Sequence, residues 1–114
     1  MKKGNKFGAK RTNGFDSKGE YIRSLVLNKR LNAGEISNLV FQPKYYLTEA
    51  RILYKPDFEY TITSTGQRVC EDYKGMETPV FRLKARLWQH YGPGVPLLLS
   101  NKKGIYKTIE PKTE

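Results

Sequence analysis

Two aspartates and one lysine in adjacent segments, Asp57, Asp72 and Lys74, are the residues of this sequence best suited to chemistry. Both segments alternate between apolar and polar residues, as β-strands do when one face is buried. Asp57 lies on the polar parity of the first segment, and Asp72 and Lys74 share one parity of the second. Two carboxylates on one face would hold a hard divalent cation, and a lysine beside it suits hydrolysis of a phosphodiester. The alternative is a solvated polar face with ordinary cross-strand salt bridges.

The two segments are predicted to form one β-hairpin over residues 52–75. Its turn falls at 64–67, where Gly66 supplies the turn residue. A loop centred on residues 65 and 66 would place Asp57 opposite Lys74 and Glu59 opposite Asp72. Asp57 and Asp72 would then be diagonal neighbours, roughly 7 Å apart and able to share one cation.

The charge balance indicates a polyanionic partner. The 114 residues carry 21 Lys+Arg against 11 Asp+Glu, a formal net charge of +10, and the length fits one domain. Cys70 and His90 are the only cysteine and the only histidine. An intramolecular disulfide, a cysteine-rich zinc site and a two-histidine metal site are therefore excluded. Cys70 is expected to be a small packed residue.

Apolar runs in this sequence are short. None is long enough to cross a bilayer, and the basic N-terminus lacks the apolar core of a signal peptide. We therefore expect a soluble protein that does not contact membranes. It would be in the cytoplasm, or in the host cytoplasm if the chain is phage-encoded.

Two helices and a small mixed sheet are predicted to position the site, an α/β (α+β) fold in αβββαβ-like order. The first helix opens at Asp16-Ser17 with capping-box spacing to Glu20, and it ends near Asn32 before Ala33-Gly34. Glu20 either caps this helix or points towards whatever the helix covers. Its predicted apolar stripe is Tyr21, Ile22, Leu25 and Val26, and its second face is Glu20, Leu27 and Leu31.

The second helix is predicted to run from Thr78-Pro79 to about Tyr91. Lys84 would snorkel from its apolar stripe or reach a phosphate, and Arg82 and Arg86 would be solvated or face DNA. The stripe itself is predicted to be Val80, Leu83, Leu87 and Tyr91. Short strands are predicted at 38–41, 45–47 and 95–100.

A basic arm over residues 1–14 precedes the first helix. It would fold on a phosphate backbone or serve as a solubilising tail. Its cationic residues are Lys2, Lys3, Lys6, Lys10 and Arg11. A polar tail over 101–114, with a short extended piece at 105–109, is predicted to follow the domain at 15–100.

The order of these elements resembles the PD-(D/E)xK nuclease superfamily. The chain has the same elements in the same order as that superfamily: a helix with Glu20, a strand with Pro56-Asp57, the segment Asp72-Tyr73-Lys74, a helix and a strand. Residues 6–10, 15–17, 42–43 and 57–58 also resemble a small phage-encoded family of uncharacterised proteins, and that similarity covers most of the chain.

The resemblance implies a Mg²⁺- or Mn²⁺-dependent DNA endonuclease, acting on branched DNA such as Holliday junctions in phage replication or recombination. Glu20, Asp57 and Asp72 would hold the metal, and Lys74 would orient or help deprotonate the attacking water. A bulge would put Glu71 at the site in place of Asp72. A homodimer is expected by the same resemblance.

Two other functions stay open from the sequence. One is a non-catalytic basic nucleic-acid-binding module whose acidic face is structural. The other is a small adaptor that binds an acidic protein.

Overall fold

The computed structural model describes residues 14–15 and 17–112. In this part of the chain, two helices and seven strands confirm the predicted α+β class. The elements are α1 (Lys18–Asn32), β1 (Ile36–Phe41), β2 (Tyr45–Leu47), β3 (Ile52–Tyr54), β4 (Phe58–Ile62), β5 (Gln67–Tyr73), α2 (Pro79–Tyr91), β6 (Leu97–Asn101) and β7 (Gly104–Ile109). The strands outnumber those predicted, because 52–63 divides in two and the C-terminal segment adds another.

A five-stranded mixed sheet in the order β1-β4-β5-β6-β7 forms the centre of the fold, and β2 and β3 form a separate two-stranded sheet. β5 runs antiparallel to β4 and parallel to β6, with α2 in the connection between β5 and β6. A parallel pair needs such a crossover, and both faces of its strands are usually covered. Accordingly, four successive residues of β5, 69–72, are buried.

The sheet separates two apolar clusters. On the α1 side lie Leu27, Ile36, Phe58, Tyr60 and Val69. On the other side, α2 and the two-stranded sheet contribute to a cluster of Leu47, Tyr54, Cys70, Phe81, Ala85, Trp88, Leu97 and Leu99. Cys70 is buried there, as expected for a packed thiol. Residues that alternate along β5 therefore face different helices.

The ends of α1 are confirmed, but its predicted apolar stripe is wrong. Ser17 caps the helix by accepting the Glu20 N–H at 3.0 Å, and Gly34 has a φ of +79° just beyond the C-terminus. The buried residues are Glu20, Ser24 and Leu27, with Leu31 packed beside them. Ile22, Leu25 and Val26 are 41–49% exposed. The helix is turned this way because Arg23 reaches a carboxylate inside the sheet.

The ends of α2 are also confirmed, and its apolar face is also mispredicted. Thr78 accepts the Phe81 N–H at 3.1 Å, and Pro79 is in the first turn. Phe81, Ala85 and Trp88 face the sheet, whereas Val80, Leu83 and Tyr91 are exposed. Trp88 determines this orientation, since its indole N–H donates to the Val95 carbonyl at 2.8 Å and its ring packs edge-on against two tyrosines.

The predicted hairpin over 52–75 is shorter in the structure. Pro56 interrupts the first arm, so β3 pairs with β2 and β4 alone pairs with β5. The loop occupies 63–66, with Gly66 at a φ of +74°, and Ile62 pairs with Gln67. The predicted pairing of Asp57 with Lys74 is thus wrong by two residues. A shift of two keeps every side chain on its predicted face, because the strand repeat is also two.

The sheet also extends beyond the predicted domain end at residue 100. β7 pairs antiparallel with β6, so the extended piece within the supposed polar tail is an edge strand of the domain. Four of its six residues, 105–108, are exposed, as is common in edge strands. Within residues 17–112, no helix has the length and apolar character required to cross a membrane.

Candidate active site

The two aspartates meet at the end of the central sheet. Asp72 is buried on the α2 face of β5, at 3% exposure. Because Phe58 at the start of β4 pairs with Glu71, the preceding Asp57 comes beside Asp72. The two side chains are within hydrogen-bonding reach of each other. Asp57 also accepts the Tyr73 N–H at 2.8 Å, which fixes its side chain against β5.

This arrangement changes the acidity of Asp57. Burial raises the pKa of Asp57 to about 10, and the hydrogen bond to Asp72, the charge of Asp72 and the charge of Glu20 act in the same direction. The Tyr73 N–H acts against them. Asp57 therefore carries a proton at neutral pH in the absence of a cation, and the pair bears less negative charge than two free carboxylates.

Two further side chains hold Asp72. The Tyr54 hydroxyl donates to its Oδ2, and Lys74 Nζ lies 3.4 Å from the same oxygen. Lys74 Nζ also lies 4.4 Å from the centre of the Phe81 ring, a cation–π contact. The orientation of Asp72 is thus fixed from β3, and Lys74 is held over the carboxylate pair.

Glu20 approaches the pair from the other side of the sheet. It lies in the first turn of α1, is 5% exposed, and is near enough that its charge raises the pKa of Asp57. The approach depends on Gly19, since a Cβ there would overlap the Tyr73 ring at the end of β5. A small residue at this position lets the start of α1 rest on the end of the sheet.

Glu71 does not join Asp57 and Asp72. β5 continues without a bulge past β6, so Glu71 points to the α1 face. Its carboxylate accepts hydrogen bonds from Arg23 Nε at 2.6 Å, Arg23 Nη2 at 3.1 Å, the Tyr60 hydroxyl at 2.6 Å and the Ser100 hydroxyl at 2.6 Å. Glu71 is therefore a neutralised structural acid, and the bulge that would have placed it beside Asp57 is absent from β5.

Two clefts adjoin at Asp57. The first, which we call the lysine cleft, has a volume of about 410 Å³ and is lined by Leu53, Tyr54, Lys55, Asp57, Asp72, Lys74, Thr78, Val80, Phe81 and Lys84. The second, the helix cleft, has a volume of about 500 Å³ and is lined by Ser17, Gly19, Glu20, Asp57, Tyr73, Lys74, Gly75 and Met76. Asp57 and Lys74 line both clefts and so stand at the boundary between them.

The predicted nucleic-acid-binding residues divide into three groups. Lys84 lines the lysine cleft, as one of its two predicted roles requires. Arg82 and Arg86 are exposed and line a different depression with β7, where Arg82 Nε lies 3.9 Å from Glu77. The five cationic residues of the arm, Lys2, Lys3, Lys6, Lys10 and Arg11, lie outside the described residues.

The sequence analysis missed two residues of the site. Lys55 lines the lysine cleft, and Tyr54 donates to Asp72. The position of Lys55 next to Pro56-Asp57 was a usable signal. Tyr54 had no such signal, because the strand alternation placed it with the apolar residues. Only the separate β2–β3 sheet brings its hydroxyl to β5.

The donor chemistry suits a hard cation although the ligands are not fully assembled. In the described part of the chain, no group of three or more Asp, Glu, His or Cys side chains is arranged to hold a metal ion. Asp57 and Asp72 nevertheless supply adjacent carboxylate oxygens, the ligands that Mg²⁺ and Mn²⁺ prefer. A cation between two adjacent carboxylates would favour the ionised form of both. The two aspartates therefore fit this class of ion, with Glu20 in the adjoining cleft.

Comparison with known proteins gives one family. A family model described as "Protein of unknown function (DUF1064)" matches residues 4–107. No curated protein and no solved structure matches the chain.

Proposed function

This chain belongs to the DUF1064 family, and we propose that it is a metal-dependent endonuclease that hydrolyses phosphodiester bonds in branched or otherwise structured DNA. The observation that supports this most is the meeting of Asp57 and Asp72 beside Lys74, at the boundary of two open clefts in a basic protein. An acid whose pKa is raised by burial and by a neighbouring acid, in an open cleft, is typical of functional sites.

Asp57 and Asp72 would hold the ion, with Glu20 as the third carboxylate. The ion, Mg²⁺ or Mn²⁺, would supply charge neutralisation at the phosphate and a lowered pKa of bound water. The protein holds the aspartates in place through the Tyr54 hydroxyl and the Tyr73 N–H. Such fixed geometry is what transition-state stabilisation requires of the residues around a reacting group.

Lys74 would act on the reacting phosphate or on the attacking water. Its side chain is 24% exposed and borders both clefts, and its ammonium nitrogen lies 3.4 Å from Asp72. A phosphate seated beside the aspartates would therefore come within reach of this positive charge. Lys74 would stabilise the negative charge that develops there, and would orient a water that it contacts.

The charge of the molecule supports a nucleic-acid substrate. A net charge of +10 attracts a polyanion over long distances, and the lysine cleft adds cations close to the aspartates. The small size of the domain favours recognition of DNA shape through the backbone over recognition of a base sequence.

The proposal is tested with labelled linear, flapped and four-way-junction DNA, with Mg²⁺, with Mn²⁺ and with EDTA. Asp57→Asn and Asp72→Asn are expected to reduce cleavage at least roughly 100-fold, as loss of a transition-state-stabilising group does. DNA binding, measured by anisotropy, is expected to persist or to tighten, because each change removes negative charge near the phosphate.

Glu49→Gln provides the control, since Glu49 is exposed and lines neither cleft. It should cut like the wild type. If Asp57→Asn and Asp72→Asn lose binding and cutting to the same extent, the aspartates are structural and the proposal is rejected.

One observation favours a second candidate function, a non-catalytic basic nucleic-acid-binding module. It is the lack of a preassembled group of three metal ligands among the described residues. This alternative expects DNA binding without cleavage, whichever divalent ion is present. Metal-dependent cleavage by the wild type would exclude it.

A further inference from the structure

We propose that the lysine cleft binds one unpaired nucleotide, with its base against an apolar wall and its phosphate on lysines. The wall consists of Leu53, Val80 and Phe81, and the cations are Lys55, Lys74 and Lys84. The proposal rests on the proposed function for the position of the reacting phosphate, and it specifies the substrate as DNA with an unpaired nucleotide beside the cut.

The apolar wall is open to solvent. Val80 lies in the first turn of α2, where its side chain lines the cleft, and the residue is 64% exposed. Phe81, the next residue, is buried against Tyr54 and forms the deeper part of the wall. An exposed apolar side chain beside lysines and aspartates offers a surface for the flat face of a base. Such a contact does not depend on the base sequence, because every base has a flat face.

Two of the lysines are available for a phosphate. Lys74 is already engaged with Asp72, whereas neither Lys55 nor Lys84 forms an ion pair with a residue in 17–112. Lys55 is exposed at the mouth of the cleft and Lys84 is half-buried. A ligand with both an anionic group and an apolar face matches this combination.

The size of the cleft distinguishes a nucleotide from a duplex. Its volume of about 410 Å³ is within the usual range for clefts that take small ligands. A paired base inside a duplex is covered on both faces by its neighbours, so it cannot present a face to the wall without leaving the stack. An unpaired nucleotide at a flap or a junction can do so at little cost.

The two residues that line both clefts determine the order in which a bound strand passes along the site. Asp57 and Lys74 line both clefts, so a strand that leaves the lysine cleft passes the aspartates before it reaches the helix cleft. The reacting phosphate would therefore be adjacent to the unpaired nucleotide. We infer that cutting is directed to such positions and that uninterrupted duplex is a poor substrate.

The test compares two exposed apolar residues of α2, one inside the cleft and one outside it. Val80→Ser removes part of the wall, and Leu83→Ser is the matched control because Leu83 is 56% exposed and does not line the lysine cleft. Affinity is measured by anisotropy in EDTA with a single-stranded oligonucleotide and with a blunt duplex of the same sequence. Val80→Ser is expected to weaken single-strand binding roughly 5-fold, and duplex binding is expected to stay within twofold.

Leu83→Ser is expected to leave both affinities unchanged. The assignment is overturned if the two variants behave alike, or if Val80→Ser weakens single-strand and duplex binding equally. Cleavage of flapped DNA with Mg²⁺ separates this failure from that of the proposed function. If the wild type cuts with metal but Val80→Ser does not selectively weaken single-strand binding, only the nucleotide assignment is rejected. A Val80 effect without cutting by the wild type rejects the nuclease and keeps a nucleotide-binding cleft.

Discussion

At the scale of single residues, adjacent acids in β5 have opposite roles. Glu71 accepts four hydrogen bonds from three side chains on the α1 face, and Asp72 lies beside Asp57 on the α2 face. The pleat of a strand sends consecutive side chains to opposite faces, which suffices to separate them. The carboxylate with compensating partners stabilises the fold, and the carboxylate beside another acid is the one that we propose for chemistry.

The raised pKa of Asp57 predicts how stability depends on pH without divalent ions. The unfolded chain releases this proton near pH 4, whereas the folded protein holds it to about pH 10. The free energy of unfolding should therefore fall as pH rises through that window, by at most about 1.4 kcal/mol per pH unit for one proton. Asp57→Asn, which resembles the protonated form, should flatten this slope. Urea unfolding in EDTA between pH 5 and pH 9 measures it.

Glu49→Gln controls for the loss of an exposed carboxylate and should retain the wild-type slope. If the free energy of unfolding changes with pH equally in the wild type and in Asp57→Asn, Asp57 ionises normally in the folded protein. The raised pKa of Asp57 would then be ruled out.

Sequence reasoning at this scale identified the face of each acid but not its neighbours. The two-residue repeat placed Asp57, Asp72 and Lys74 on one face, and this prediction survived because the register error was two residues. The partners of Glu71 could not be found in the same way. Arg23 and Ser100 come from distant segments, and only the completed sheet brings them to one carboxylate.

At the scale of elements, one buried ion pair orients α1. The Arg23 side chain is 11% exposed and the Glu71 side chain is fully buried, and two hydrogen bonds join them. Arg23 lies one turn after Glu20, so the same contact that holds the helix on the sheet also holds Glu20 near Asp57. The position of one candidate ligand thus depends on a contact on the opposite face of the sheet.

Removal of Arg23 should therefore be costly. Arg23→Ala leaves the Glu71 carboxylate buried without its cation, and loss of one partner of a buried pair typically costs about 3 to 5 kcal/mol. Arg30→Ala is the matched control, because Arg30 is on the same helix and pairs with the exposed Glu35 at 3.2 Å. That change should cost at most about 1 kcal/mol. Chemical denaturation of both variants at one pH tests the difference, and equal losses would refute it.

The helix ends followed from local sequence, and the helix faces did not. Caps depend on residues within one turn, so Ser17, Thr78 and Pro79 were sufficient. Both helices carry apolar residues on more than one side, so periodicity alone could not select the inner face. Tertiary contacts selected it, through Arg23 in α1 and Trp88 in α2.

At the scale of the whole molecule, the positive charge is expected to make DNA binding strongly salt-dependent. About six phosphate contacts would give a log–log slope of binding against salt near −5, at −0.9 per contact in duplex DNA. Lys55→Ala and Lys84→Ala together should reduce the magnitude of the slope on single-stranded DNA by about 1.4, since each single-strand contact contributes about −0.7. Affinity titrations at several salt concentrations measure this change.

Lys44→Ala is a suitable control, because Lys44 is exposed and lines neither cleft. If it lowers the slope as much as one cleft lysine does, the phosphate contacts are spread over the surface and are not concentrated in the cleft. The amino-acid composition was enough to predict a polyanionic partner. It could not predict that lysines from β3–β4 and α2 share a cleft, since that proximity depends on the packing of α2 over β5.

The alternation along β5 also limits how this chain can change in length. An insertion or deletion of one residue between Gln67 and the aspartate would move Asp72 towards Arg23 and Glu71 into the cleft, exchanging the two acids. The exposed loop at 63–66, at the far end of β4 and β5, can absorb extra residues without this exchange. Tags or fluorophores are therefore best placed in that loop.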